Sequence, residues 1–402
     1  MLDQTPAPRW RLATLIAFRF CFIYFGLYVG LSYVPKVEPL IDRIVAWTGL
    51  RVFHLTVRSV VSGSGDTLYD WVWTFCLLVI AVAGAAAWSV LDRRRERYER
   101  LDRWFRVAIR FGLGSIMISY GFAKAIPLQM PAPSLTRLLE PYGNFSPMGA
   151  LWYSIGASFP YEVFVGCAEA LGGVLLFIPR TALLGALICL ADTIEIFTLN
   201  MTYDVPVKLF SFHLILMSLF LIAPDMRRLI GVVLAKGART RWGAVLQFAF
   251  GAYLVGTSVY GHIQQWHEFG GGVPRPPLYG IWVIDEMTID GVTRPPLLTD
   301  YSRWRRVVIS NAANIAFWRM DDTFVGYAAK TDMDKKVITF SKQADTAWTA
   351  QFTFDRPTPD SAIFDGSMDG HTLHMETHLF KREDFLLVNR GFHWIQEFPF
   401  NR

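Results

Sequence analysis

The sequence predicts an α-helical integral membrane bundle of about seven spans, followed by an all-β antiparallel barrel. Three observations predict it. Seven apolar runs approach the ~20 residues a helix needs to cross a bilayer core. The last third of the chain instead alternates apolar and polar residues between turn signals. The 402 residues are 52% hydrophobic but only 18% charged, against the ~25% charge of an ordinary soluble domain. So much apolar surface excludes a disordered chain, and four cysteines are too few for a disulfide scaffold.

The apolar runs fall at 12–34, 71–91, 107–126, 160–178, 181–199, 207–223 and 242–260. Helices are required there, because lipid offers no partner to unpaired backbone groups. The first run is too long for a cleavable signal peptide and lacks a small-residue cleavage site. Only Pro179 and Arg180 separate the fourth run from the fifth, which reads as a tight helical hairpin.

Charge sets the orientation. Residues 1–267 hold 24 basic and 16 acidic side chains, whereas residues 268–402 hold 15 and 18. The basic surplus sits beside apolar runs, which points to membrane topology and away from nucleic acid. Fifteen basic residues fall on one side of the spans and six on the other, with seven of the fifteen between Arg93 and Arg106. The richer side is predicted to be cytoplasmic. The N-terminus then lies inside a bacterial inner membrane and the C-terminal domain outside it. Within residues 37–62, Leu40, Ile44, Trp47, Phe53, Val57 and Val60 recur at helical spacing. They suggest helices lying on the outer membrane surface or capping the bundle. Residues 127–159 read as an outer loop with a short helix around Leu151.

The helical domain is thus expected over 1–267, a glycine–proline linker over 268–277 and an extracytoplasmic β domain over 278–402. Trp348, Ala350, Phe352 and Phe354 alternate with Thr349, Gln351 and Thr353, the pattern of a half-buried strand. Asp290-Gly291 and Asp369-Gly370 are hairpin turn signals. Eight or nine strands fit between 278 and 390, and an antiparallel barrel closes them without exposed edges. Gly280-Ile281-Trp282 resembles the G-x-W signature of lipocalin-type barrels. His371, His374 and His378 suggest no metal site. His374 and His378 share a strand face but lie ~13 Å apart, too far for one ion with bonds near 2 Å.

Ionisable groups inside spans carry the chemical information, since each costs ~2.5–3.5 kcal/mol at mid-helix. Arg19 and Arg110 sit near cytoplasmic ends, where snorkelling accounts for them equally well. Lys124, Glu169, Asp192, Glu195 and His213 all fall between the midplane and the outer surface. Asp192 and Glu195, three apart, share a helix face. These five form the candidate catalytic cluster, with Arg110, Tyr120 and Lys208 as candidate ligand-binding residues around it. A plain structural pairing of Glu169 with Lys124 is the alternative.

Arg110-x-Gly112, then Gly121-Phe122-Ala123-Lys124, then Glu169-Ala170-Leu171-Gly172-Gly173, and the Pro179-Arg180-Thr181 hairpin form a composite pattern. In these residues the stretch 107–223 resembles the DoxX family of membrane proteins. The resemblance implies a four-helix core and a protein that binds a quinone or a lipid within a membrane oxidoreductase system, beside an oxidoreductase partner subunit. This chain adds two helices before that core, one after it, and the barrel. It carries no redox centre of its own in sequence. His213 is the single histidine well inside a span, so paired axial haem ligands are lacking. Cys21, Cys76, Cys167 and Cys189 form no C-x-x-C pair, and no phosphate-cradling G-x-x-x-x-G-K-[ST] loop is present. In the redox version, His213 or Lys124 hydrogen-bonds a quinone carbonyl while Glu169 and Asp192 pass protons outward. The competing expectation is a non-enzymatic membrane binding or assembly module whose β domain docks a ligand or partner.

Overall fold

The computed structural model of the protein describes residues 9–31, 34, 37–233, 241–269, 272–342 and 345–402. The chain divides into two units, residues 1–235 with 389–402, and residues 236–388.

In the first unit, α1 (Leu12–Gly30) packs on α3 (Leu68–Leu91) and α4 (Glu99–Ala125). Helix α4, α7 (Phe159–Phe177), α8 (Ala182–Thr202) and α9 (Lys208–Ile222) pack in succession, and α9 closes back on α4. Shorter helices fill the connections: α2 (Glu38–Thr48) against α3, α5 (Leu135–Leu138) and α6 (Pro147–Gly156) between α4 and α7, and α10 (Met226–Val233) after α9. Helix α6 contains Leu151, as expected, and starts where Ser146 Oγ accepts the Gly149 N–H at 2.9 Å.

Among the described residues, five segments are long and apolar enough to cross a membrane: α1, α3, α7, α8 and Lys208–Val232. Only 22% to 39% of the most apolar stretch of each is buried, so most of that apolar surface faces outward, as lipid contact requires. The other two expected spans are helical but fall outside this set. The third run lies in α4, whose first half carries Glu99, Arg100, Asp102, Arg103 and Arg106. The seventh lies in α11 (Arg241–Phe269), where Gln247, Thr257, Ser258 and His262 interrupt the apolar sequence.

The outer segment 37–62 is helical for only part of its length. A π-turn, Gly49–Phe53, follows α2 and ends at His54, whose φ of 57° is left-handed. The chain then folds back, so that Val57 lies in a small core with Val45, Val72 and Cys76. Gly49 permits this approach, since a Cβ there would stand 2.5 Å from Val57 Cγ2. Leu40, Trp47 and Phe53 remain exposed. Residues 32 and 33 of the first run, the counted charges Lys36, Lys236 and Arg239, and Gly270 and Gly271 of the linker lie outside the described residues.

The second unit contains α11 and a closed antiparallel barrel. Its strands are β1 (Gly280–Ile289), β2 (Val292–Thr293), β3 (Trp304–Ile309), β4 (Asn314–Arg319), β5 (Phe324–Asp332), β6 (Val337–Lys342), β7 (Asp345–Thr358), β8 (Ser361–Met368) and β9 (His371–Phe380). From β3 onward each strand pairs with the next, β1 pairs with β3, and β9 returns to β1 from Ile281↔Phe380 to Ile289↔Leu373. Eight strands therefore close, with β2 a two-residue hairpin on the end of β1. Both anticipated turns adopt left-handed φ at their two central residues, Asp290 (50°) with Gly291 (79°) and Asp369 (52°) with Gly370 (85°), the geometry that suits a right-twisted hairpin.

The barrel interior is filled rather than hollow. Trp282, Phe317, Phe340, Phe352, Phe364 and Met375 are all essentially inaccessible. The Trp282 indole N–H donates to Leu278 O at 2.9 Å, and the Arg356 guanidinium lies 5.6 Å from its ring. Arg303, 1% exposed, donates to the carbonyls of Arg294 (3.1 Å) and Ile284 (3.0 Å) and to that of Trp304. The three histidines face outward on separate carboxylates: His371 on Asp290 (2.7 Å), His374 on Asp365 (2.6 Å) and His378 on Asp285 (2.8 Å).

The assignment of 278–402 to one β domain is corrected here. Strand pairing ends with β9, the short α12 (Leu386–Asn389) follows, and residues 389–402 belong to the helical unit. The physical reason is a set of polar side chains on this tail, Arg390, His393 and Gln396, that match buried groups of the bundle.

One pH dependence follows for the barrel. Asp365 beside His374 holds that imidazole above its ordinary 6.5. A raised histidine pKa stabilises the fold fully below the unfolded value, and the gain is lost as pH rises through the folded value. Thermal unfolding of wild type and His374→Gln should therefore differ most below about pH 6 and converge in mildly alkaline solution. A gap that widens with rising pH would contradict the assignment.

Candidate functional site

Two polar sites emerge inside the helical unit. The first depends on how closely α4 and α7 approach. A Cβ on Gly121 would lie 2.6 Å from Gly166 O, and one on Gly173 would lie 2.7 Å from Gly114 O. Glycines seven residues apart on each antiparallel helix therefore meet as two pairs, and only their missing side chains allow this backbone contact. Lys124 follows Gly121 by three residues and Glu169 follows Gly166 by three, so on these antiparallel helices they flank that contact from opposite sides and reach across it. Their side chains meet at 2.8 Å between Nζ and Oε2, almost wholly buried. The pairing of these two residues, which the sequence offered as the alternative to a catalytic cluster, is thus present, and the close helix approach makes it possible.

The other expected members surround this pair unequally. Asp192 is half-buried on α8, within electrostatic range of Glu169, Glu195 and Lys124. Glu169 Oε1 and Asp192 Oδ2 are buried with no hydrogen-bond partner among the described residues. Glu195 is exposed on the outer face of α8. The Tyr120 ring stands 5.8 Å from Lys124 Nζ and 5.5 Å from the Phe210 ring. Arg110 turns to α7 instead, its Nε and Nη2 donating to Leu176 O at 2.8 and 2.6 Å. Arg19 does not snorkel: it is 2% exposed and donates to Tyr98 Oη, Ser89 Oγ and Asp92 O. Around one ammonium, carboxylates are in excess, an arrangement in which one of them can hold a proton.

His213 lies apart from this group, in the second site. Its Nδ1 is 2.6 Å from Leu209 O, and its Nε2 is 2.7 Å from Tyr24 Oη. A carbonyl can only accept, so Nδ1 carries the proton; Nε2 of the neutral ring then accepts from the Tyr24 hydroxyl. The Tyr28 ring stacks on the imidazole at 4.2 Å. Both imidazole nitrogens are engaged, which leaves the Tyr24 oxygen as the polar atom of the pair with acceptor capacity to spare. This pair borders a cavity of about 1100 Å³ lined mainly by apolar side chains of α1, α3 and α9.

The α9 end of that cavity is closed by a buried charge set. Asp66 accepts the backbone N–H groups of Lys208 and Leu209, both at 2.9 Å, and so caps α9 from another segment. Burial pushes the Asp66 carboxyl above the usual carboxylate range, opposed by those two bonds and by Lys208. Asp204 receives His393 N (2.9 Å), His393 Nδ1 (2.8 Å) and Gln396 Nε2 (2.8 Å), with Arg390 at 3.2 Å. Tyr24, Asp66, Asp204 and the tail residues escaped the sequence reading. One signal was available for the Asp66 region: Thr67-x-x-Asp70 is a capping box at the start of α3, with both reciprocal bonds formed.

No family model matches the chain, and no solved structure does. Over 81 residues the chain is 41% identical to the uncharacterized protein YwoB of Bacillus subtilis (strain 168). That stretch covers 20% of this chain and 53% of the relative, so the chain spans about half the length of the relative it matches.

Glu169→Gln takes from Lys124 its direct ion-pair partner and leaves it the unbonded Asp192 carboxylate. Glu169→Gln should lower stability by about 3–5 kcal/mol, and the double exchange Lys124→Glu with Glu169→Lys should restore much of it. Thermal unfolding in mild detergent measures both. A Glu169→Gln protein as stable as wild type would show that Lys124 has another counter-charge.

Proposed function

We propose that the helical unit binds a long-tailed amphiphile of the quinone type, as a component of an oxidoreductase system in a bacterial inner membrane. The observation that carries this reading is the apolar cavity of about 1100 Å³ with the Tyr24–His213 pair on its wall. Ligand sites are typically concave and mostly apolar, with a few placed polar groups, at ~300–1,000 Å³. The cavity is at the upper limit, which suits a ring with an extended apolar tail. The DoxX resemblance favours a quinone among such molecules. Electrons would come from a partner subunit, and the Lys124–Glu169–Asp192 group is placed to hold a proton. An assembly role for the barrel is a second reading, favoured by its filled interior, which leaves its outer surface for docking.

The membrane topology belongs to the same reading. The tail residues 389–402 bond to Asp66 and Asp204 at the end where α9 begins, and α10 leaves from the other end. The chain between Val233 and Asn389 then crosses the membrane an odd number of times. Helix α11, at 29 residues, has the length for one such crossing, its polar interruptions included. Together with the basic-residue asymmetry, this supports a cytoplasmic N-terminus and an extracytoplasmic barrel. Reporter fusions at Arg402 and within 92–106 should read opposite sides; the same side from both would refute it.

Protein extracted in mild detergent should retain a tailed small molecule, identified by mass spectrometry. Leu216→Trp, which fills the cavity, should lose the molecule while staying folded. Equal retention by wild type and Leu216→Trp would place the molecule elsewhere and defeat this reading.

A further inference from the structure

We infer that the polar head of the ligand lies at the α9 end of the cavity, against Lys208, and that the C-terminal tail completes the site through Trp394. The inference rests on the amphiphile reading above and adds the orientation of the ligand and the chemistry of its head.

The cavity has two polar ends, and they differ in what they have left to offer. At one end, the donors of Arg106 are engaged: Nε bonds Asp102 at 2.9 Å, Nη1 donates to Phe220 O at 2.5 Å, and the guanidinium lies 4.3 Å from the Phe220 ring; what is left over there is an acceptor, Asp102 Oδ1, and not a donor. At the other end, Lys208 is 1% exposed and lines the cavity beside Trp71 and Trp394. Its Nζ stands 3.3 Å from Asp204 Oδ1 and 3.5 Å from Asp66 Oδ2, two long ion pairs that fall short of good hydrogen-bond geometry. Both carboxylates direct their shorter bonds elsewhere, Asp66 to the α9 backbone and Asp204 to the tail. An ammonium has three donors, two long ion pairs do not use them fully, and a buried donor left short of an acceptor is costly. A ligand oxygen supplies what is missing.

Charge balance says which oxygen. Two carboxylates, Asp66 and Asp204, already face two basic side chains, Lys208 and Arg390. An anionic head would add a charge without a counter-charge in a buried place. A neutral carbonyl oxygen satisfies the donor and leaves the balance intact. The flanking surface suits a flat ring: Trp71 and Trp394 pack edge to face at 5.8 Å, with the Trp71 indole N–H donating to Trp394 O at 2.9 Å. Trp394 is held there by its neighbours on the tail, through Gln396 N to Asp66 O at 3.0 Å and Ser64 Oγ to Gln396 O at 2.6 Å. The apolar tail of the ligand then extends past Tyr24 and Phe25 towards Trp10.

The test compares two probes on the full-length protein in mild detergent, by ligand-induced thermal stabilisation. Decylubiquinone has carbonyls, a ring and an alkyl tail; dodecylbenzene has the ring and tail alone. Wild type should be stabilised by both, and more by decylubiquinone. Lys208→Met should lose the extra response to decylubiquinone and keep the response to dodecylbenzene, a split that mere structural damage does not produce. Trp394→Ala leaves every charge in place and covers the case in which Lys208→Met does not fold. It should need about tenfold more of either probe for the same shift. Wild-type responses from both variants would overturn the head-group assignment while the cavity reading stands. No response of wild type to either probe would instead defeat the amphiphile reading itself.

Discussion

The helical unit is organised around a buried carboxylate that closes the first turn of a helix. Asp66 takes the two leading N–H groups of α9, lies beside Lys208, and presents its own backbone carbonyl to Gln396. From this one residue follow the start of α9, the path of the chain into the α3 capping box, and the seat of the C-terminal tail. The arrangement is demanding, because breaking one member of a buried ion pair costs about 3–5 kcal/mol. It also leaves Lys208 beside the apolar cavity of about 1100 Å³ with donor capacity to spare. Constraint and chemical opportunity therefore come from the same groups.

The second polar device, Lys124–Glu169, is built differently. Backbone contact between facing glycines sets the α4–α7 separation, and the pair closes across that contact. Gly185 repeats the device between α8 and α7, where a Cβ would come 2.7 Å from Leu176 N. The four-helix group is thus held by close backbone approach, as expected in lipid, where apolar side chains gain little by leaving one apolar medium for another. The Lys124–Glu169 pair is sealed between helices, whereas Tyr24–His213 borders open space.

Much of this was legible in the sequence, and the failures are instructive. Period-two alternation and the two Asp-Gly turns announced the barrel, because both are local signals. Glu169 and Lys124 could be picked out since a charge inside an apolar run is conspicuous. The Tyr24–His213 bond joins residues 189 apart, and a tyrosine in an apolar run attracts no notice. The tail was assigned to the barrel because nothing local separates residues 389–402 from the strands before them; their partners Asp66 and Asp204 lie in distant loops. Arg110 illustrates the converse. Its position in the composite pattern suggested a ligand contact, yet its donors reach a helix carbonyl, a demand that no spacing rule reveals.

The account turns on whether the space between α1 and α9 holds a molecule in a defined orientation. An experimental density map of the protein, extracted with mild detergent and given no added ligand, tests this directly. The account predicts elongated density, with its broad end between Lys208, Trp71 and Trp394 and its narrow end running past Tyr24 towards Trp10. A cavity collapsed by its own side chains, or occupied by another segment of the same chain, would contradict it.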